Sequence, residues 1–289
     1  MTRRRPRKIG AWFRFAVALL KPPMTLLTKR DWRGQENIPA TGGVVLVTNH
    51  VSYFDPFAFA HFVYDAGRLP RFLAKSEVFS IPVAGKIVGK LGQIPVYRQT
   101  TDATTAFRAA VEGIERGECI VIYPEGTVSR DPGLWPMVGK TGAARVALTT
   151  GCPVIPIAQW GPQEVLSPYS KRPNLLPVKT MHLQAGPPVD LSRFAGQPLT
   201  TATLRDATEI IMAAITEQLE KIRGEQAPVE RFDMRKAGVP ETGDPNRRRT
   251  ADAAMPGGTE PAGAAPGAAE PSAAAPGAAT SSNTEDRAR

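Results

Sequence analysis

Residues 44–56 read VVLVTNHVSYFDP. Val44 to Val47 run without polar alternation, the pattern of a short strand buried on both faces. Asn49 and His50 then break the run, and Pro56 suits the first turn of a helix, with Ser52 or Asp55 placed to cap it. Strand, loop and helix in this order make the building unit of an α/β fold. In such folds ligands sit beyond the carboxyl ends of the strands. A histidine at that edge is therefore worth following, and the chain has only three: His50, His61 and His182.

The pattern recurs on either side. Apolar runs at 43–49, 71–75, 93–98, 119–125, 153–160 and 179–186 read as strands. Helical patterns fill 56–65, 83–91, 101–116, 141–149 and 203–223 between them. Val/Ile-rich runs alternating with helices predict an α/β single domain, a largely parallel sheet flanked by helices, spanning residues 31–223.

Both ends differ from this middle. Residues 1–30 contain no acid, and Arg3, Arg4, Arg5, Arg7 and Lys8 precede an apolar stretch from Ala11 to Leu20. That stretch is shorter than the roughly 20 apolar residues a spanning helix needs. Arg14 interrupts it and Lys21-Pro22-Pro23 ends it. Trp12, Phe13 and Phe15 suit the lipid–water boundary, so residues 1–30 are expected to form an amphipathic helix on a membrane surface. Residues 224–289 turn Ala/Pro/Gly-rich with few large apolar side chains, the composition of a disordered tail.

Charge narrows the partners. The 289-residue chain carries a formal net charge of +9, which favours an anionic partner. Only 7% of residues are aromatic, and no basic–aromatic interleaving suggests a base-stacking surface, so nucleic acid is not expected. Cys119 and Cys152 both lie in apolar runs and read as small buried hydrophobes. Without a CxxC motif or Cys/His ligand spacing, neither a disulfide framework nor a zinc site is expected.

Four stretches carry candidate chemistry. The His50–x4–Asp55 spacing lets a carboxylate fold back onto one imidazole nitrogen, fixing the tautomer and raising the basicity of the other. Plain turn and cap chemistry accounts equally well for that pair taken alone. KLGQIPVYR (90–98) ends a strand in Arg98 at the same edge, where a guanidinium suits bidentate phosphate recognition. CIVIYPEGTVSR (119–130) runs a strand into Glu125, Gly126 and Thr127, a turn that lets backbone approach a ligand closely. GCPVIPIAQW (151–160) carries Pro153 and Pro156, expected to mark an irregular strand lining an apolar acyl pocket, or else plain core.

In order along the chain, NHVSYFD (49–55), GQIPVYR (92–98), YPEGT (123–127) and CPVIPI (152–157) resemble the four sequence blocks of the lysophospholipid/glycerolipid acyltransferase family. The resemblance is nearest to the bacterial 1-acyl-glycerol-3-phosphate acyltransferases of that family, and it covers about residues 40–190. It implies a glycerol-3-phosphate acyltransferase-like fold and a chain that moves a fatty acyl group from acyl-CoA or acyl carrier protein to a lysolipid hydroxyl. His50 would be the base and Asp55 its orienting partner. Arg98, Glu125, Gly126 and Thr127 would bind the glycerol phosphate, with Lys75 of the AKSE stretch adding charge. No metal or bound cofactor is implied, because the thioester supplies the activation. Lysophosphatidic acid and the anionic cytoplasmic face of the cell membrane are the implied partners.

One departure stands out. Versions of the third block often read Phe-Pro-Glu-Gly-Thr-Arg-Ser, whereas here Tyr123 replaces the Phe and Val128 the Arg. Arg130 is the candidate to supply the missing charge. Other acceptors, a different lysophospholipid or a glycosylated lipid, fit the same blocks. A lipid-binding module without activity, or a hydrolase, fits less well. His50 and Asp55 are both retained, and no Gly-x-Ser-x-Gly turn is present.

Overall fold

The computed structural model describes residues 10–96, 103–241 and 243. Among the described residues seven strands form one sheet: β1 (Thr28–Arg33), β2 (Val44–Thr48), β3 (Pro70–Lys75), β4 (Ile94–Val96), β5 (Cys119–Ile122), β6 (Val154–Trp160) and β7 (Lys179–Ala185). Their order is β1-β7-β6-β2-β5-β3-β4. Every pairing is parallel except that of β6 with β7. Eight α-helices among the described residues accompany the sheet: α1 (Ala11–Leu27), α2 (Asp55–Asp65), α3 (Ser76–Phe79), α4 (Ala84–Lys90), α5 (Ala103–Glu115), α6 (Gly142–Thr150), α7 (Pro162–Val165) and α8 (Thr201–Arg223).

The alternation of side chains along each strand builds two cores. On one face Val45, Val47, Ile120 and Ile122 pack with Ala106, Ala110, Ala144, Ala147, Ile211 and Ile215 of α5, α6 and α8. On the other, Val44, Leu46, Cys119 and Val121 pack with Phe59 and Phe62 of α2 and Met24 of α1. All five β2 residues are buried, which is why this strand reads as an uninterrupted apolar run rather than an alternating one.

Several sequence expectations need correction. Strand β1 went unread because TKRDWR lacks an apolar alternation. Among the described residues it lies at the sheet edge, paired with β7, where a polar strand is tolerated. The boundary drawn at residue 30 therefore falls inside a strand of the domain. Helix α1 does not stop at Lys21 but runs through Pro22 and Pro23 to Leu27. Tertiary contacts and one local bond hold the end of the helix: Lys21 is ion-paired with Asp65 of α2 and Met24 is buried, while within the helix the Thr25 hydroxyl donates 2.8 Å to the Lys21 carbonyl.

Strand β6 is regular, although Pro156 lies within it between two partners. The Pro156 carbonyl accepts from Gly186 N–H at 2.8 Å, on the side of β7 and just past its last residue. A residue's N–H and C=O point to the same side of a strand, so the missing donor falls where the β7 ladder has ended. Val154, Ile155 and Ile157 are buried in the two cores, so the plain-core reading of this strand fits its side chains. Finally, residues 224–241, assigned to the tail, lie against the domain. Ala227 packs beside Trp135, Trp160 and Leu219, Met234 is buried, and Val138 N–H donates 3.1 Å to the Phe232 carbonyl. Arg98, the basic run at residues 3–8 and the rest of the tail lie outside the described residues.

Candidate active site

Strands β2, β5, β3 and β4 run parallel and adjacent, so their carboxyl ends share one edge. His50 follows β2, Glu125 to Arg130 follow β5, and Lys75 ends β3. Val96, the last described residue of β4, is in register with Lys75 at the same edge.

The histidine is held from several sides. Its Nδ1 lies 2.8 Å from Asp55 Oδ2, and the same oxygen accepts the N–H groups of Val51 at 2.7 Å and Ser52 at 3.0 Å. Asp55 is thus not a helix cap. It is the first residue of α2, and its carboxylate turns back to organise the loop before it. The nearer to capping is Ser52, whose Oγ accepts from Phe54 N–H at 3.0 Å and donates to the Leu166 carbonyl at 2.6 Å. Asp55 is fully buried. That burial pushes its carboxyl above the usual range, against the pull of His50 and the two backbone donors. With Nδ1 facing Asp55, Nε2 is the nitrogen left for a substrate, and the His50 side chain keeps 15% exposure at the site.

Glu125 sits behind the histidine rather than before it. It is fully buried, with Oε1 accepting His50 N–H at 2.9 Å and Oε2 accepting Met137 N–H at 3.1 Å. Both oxygens thus brace backbone, whereas the resemblance implied that Glu125 binds the glycerol phosphate. Burial raises its pKa to about 8, opposed by those two donors. Gly126 takes φ +69°, the left-handed region a glycine enters without strain, and turns the chain sharply after Glu125. Thr127 is buried, and Ser129 N–H donates 2.7 Å to the His50 carbonyl, tying the two loops together. Arg130 lies over the Tyr169 ring at 5.2 Å.

Sequence reasoning missed the second brace. Asn49 Nδ2 donates 3.0 Å to the Gln159 carbonyl, its Oδ1 accepts Gln159 N–H at 2.9 Å, and Gln159 Nε2 donates 2.8 Å to the Asn49 carbonyl. These three bonds lock the end of β2 to the end of β6 beside His50. The signal was a lone amide in each of two apolar strands. Tyr123 was also undervalued: its ring lies 4.4 Å from that of His50, and burial pushes its phenol well up.

All three histidines face an aspartate, yet they differ in place. His61 is buried on α2 at 3.8 Å from Asp65, and His182 pairs with Asp31 at 2.9 Å in the middle of the β1–β7 ladder. His50 alone of the three stands at the shared carboxyl edge.

Known proteins bear on this arrangement. A family model described as Acyltransferase matches residues 29–160, which takes in His50, Asp55, Lys75, Glu125 and Arg130. Over those residues this chain is similar to the acyltransferase family. The match begins in β1 and ends with β6, so the matched part holds the parallel strands whose carboxyl ends carry His50 and Glu125. Among similar proteins, the 1-acyl-sn-glycerol-3-phosphate acyltransferase of Bacillus subtilis is 27% identical over 214 residues, 73% of this chain and 98% of that one. A chloroplastic 1-acyl-sn-glycerol-3-phosphate acyltransferase of Brassica napus is 31% identical over 140 residues, 48% of this chain. The chain spans about two fifths of the chloroplastic relatives, 39% of that protein and 38% of one from Arabidopsis thaliana. The crystal structure of the 1-acyl-sn-glycerophosphate acyltransferase of Thermotoga maritima shares the fold, with a TM-score of 0.55 and 23% identity over 74% of this chain and 81% of that one.

Proposed function

We propose that this protein transfers a fatty acyl group from the thioester of acyl-CoA or acyl carrier protein to the free hydroxyl of 1-acyl-sn-glycerol 3-phosphate, making phosphatidic acid. The observation that carries the reading is the His50 Nδ1–Asp55 Oδ2 contact of 2.8 Å at the shared strand edge. It leaves Nε2 as a base of fixed orientation. The named relatives support the choice of acceptor.

His50 Nε2 takes the proton of the acceptor hydroxyl as its oxygen attacks the thioester carbonyl. Asp55 accepts from Nδ1–H and stabilises the imidazolium that forms. The tetrahedral intermediate collapses to the ester, breaking the carbon–sulfur bond, and the departing thiolate takes the proton from Nε2. Charge balances within the His50–Asp55 pair, so no further cofactor enters the steps. Lys75, Arg98 and Arg130 are assigned to the acceptor's phosphate, and Gly126 and Thr127 to the turn that faces it. Glu125 acts through His50, fixing its backbone, and is a positioning residue.

Access to lipid is assigned to α1. Trp12, Phe15 and Leu19 are 45%, 50% and 54% exposed, at spacings that share one helix face, while Ala16 and Met24 are buried. None of the described helices is long and apolar enough to cross a membrane. We therefore assign α1 and the basic residues before it to a peripheral contact with the cytoplasmic face of the membrane.

The deciding measurement is thiol release from oleoyl-CoA by purified protein, with and without lysophosphatidic acid, beside a His50→Ala variant. Release that needs the acceptor and vanishes in the variant is the expected result. Release that survives loss of His50 would overturn the mechanism. A clear preference for another lysolipid would overturn the acceptor.

A further inference from the structure

Residues 171–179, KRPNLLPVK, repeat the signature that singled out the N-terminus. No acid lies between Glu164 and Asp190, and Lys171, Arg172 and Lys179 bracket the apolar run Leu175-Leu176-Pro177-Val178. Leu175, Leu176 and Val178 are all exposed, Leu176 to 72%. Apolar residues exposed singly are ordinary on a protein surface, whereas a contiguous run marks a contact.

Topology puts this run at the catalytic edge. β6 runs parallel to β2 and β7 returns antiparallel to β6, so residues 161–178 turn over at the edge that carries His50. The segment is fastened at both ends. The Leu166 carbonyl accepts from Ser52 Oγ of the His50 loop at 2.6 Å, and the Tyr169 hydroxyl donates 2.7 Å to the Val128 carbonyl after β5. Asn174 N–H donates 2.7 Å to the Val165 carbonyl. At the far end Lys179 is in register with Thr28, the residue that follows α1. The run thus reaches from the catalytic loops to the foot of α1, where Leu26 is 76% exposed.

An occupant of this surface must offer both apolar area and negative charge. An anionic bilayer does so: leucines enter its acyl region while lysine and arginine stay at the headgroups. Because the segment is already pinned at residues 166, 169 and 174, seating it there costs little further ordering. We propose that residues 171–179 form a second lipid-contact element, which with α1 seats the catalytic edge against an anionic leaflet. Only the consequence for the acceptor rests on the acyltransfer reading: with the edge held at the leaflet, lysophosphatidic acid reaches His50 without leaving the lipid.

The test is sedimentation of the full-length protein with vesicles containing phosphatidylglycerol, beside vesicles of phosphatidylcholine alone. Wild type is compared with Leu175→Ser/Leu176→Ser/Val178→Ser, with Lys171→Gln/Arg172→Gln, and with Leu199→Ser, a control leucine exposed on the segment after β7. The triple variant should partition at least about tenfold less onto phosphatidylglycerol vesicles, the scale of withdrawing its apolar side chains from lipid. The double variant should lose roughly ten- to thirtyfold there and little on phosphatidylcholine. Wild type that ignores vesicles, a triple variant that binds as wild type does, or an equal loss in Leu199→Ser would overturn the proposal. Light scattering that shows the triple variant losing a dimer, with vesicle binding intact, would assign the run to a second copy of the chain instead. For both variants KM for lysophosphatidic acid should rise more in vesicles than in detergent, and an equal change would overturn the seating of the edge. Vesicle binding is read without turnover, so a chain that binds through this run but never acylates a lysolipid would sink the enzymatic reading alone.

Discussion

At the scale of single residues, Asp55 Oδ2 is the most heavily used atom of the site, accepting from one imidazole and two backbone donors. Asp55→Asn should keep the side chain's shape but place the wrong partner on Nδ1. A general base contributes about 10²–10⁴ in rate, and a loss of that order in kcat for both His50→Ala and Asp55→Asn is the expected outcome of steady-state assays. Glu125 yields a prediction about pH. Its pKa is raised from 4.5 to about 8, so the folded protein holds a proton that the unfolded chain releases above 4.5. This contribution to stability is complete at low pH and is lost as pH rises through about 8. Chemical denaturation across pH 4.5–8 should show stability falling in wild type and a flatter profile in Glu125→Gln. An identical slope in both would contradict the assignment.

At the scale of elements, α1 joins two functions. Its inner face is fastened to α2 by the Lys21–Asp65 ion pair and by Lys21 over the Tyr64 ring at 4.8 Å. Its outer face carries Trp12, Phe15 and Leu19. Replacing those three with serine should weaken sedimentation with vesicles rich in anionic lipid, leaving turnover of detergent-dispersed substrate close to wild type. Each basic residue near an anionic surface contributes on the order of 1 kcal/mol, so raising the salt should also release wild-type protein. Binding that ignores both changes would place the membrane contact elsewhere. The prolines at 22 and 23 read from sequence as a stop, because a proline inside a helix removes a hydrogen bond and crowds the preceding turn. The Lys21–Asp65 contact, 44 residues apart along the chain, fastens the helix at these prolines.

At the scale of the whole molecule, the ordered domain extends past α8. The Arg223 guanidinium stands 4.0 Å from the Trp135 ring centroid and 4.4 Å from that of Trp160, with Ala227 packed beside them. Ending the chain after Gly224 should therefore uncover this cluster and Met234. The loss should be about 2 kcal/mol or more of stability in equilibrium denaturation, the scale of uncovering one or two apolar side chains. Ending it after Gly243 should leave the midpoint unchanged, and equal effects from the two truncations would contradict the boundary.

Local pattern was enough to determine the central strands and the helices between them, and it offered the pairing of His50 with Asp55 as one of two equal readings. A strand buried on both faces must be an unbroken apolar run, whereas a five-residue spacing across a loop permits a contact without requiring it. What depends on distant partners was decided by tertiary structure. Strand β1 is polar and exists because β7 offers it an edge. Glu125 braces the backbone of His50 from 75 residues away, and Asn49 grips Gln159 from 110. Lys140 meets Glu241 across 101 residues. No window of sequence contains both members of such a pair, and hydrogen bonds and ion pairs have no periodicity that would mark one partner for the other.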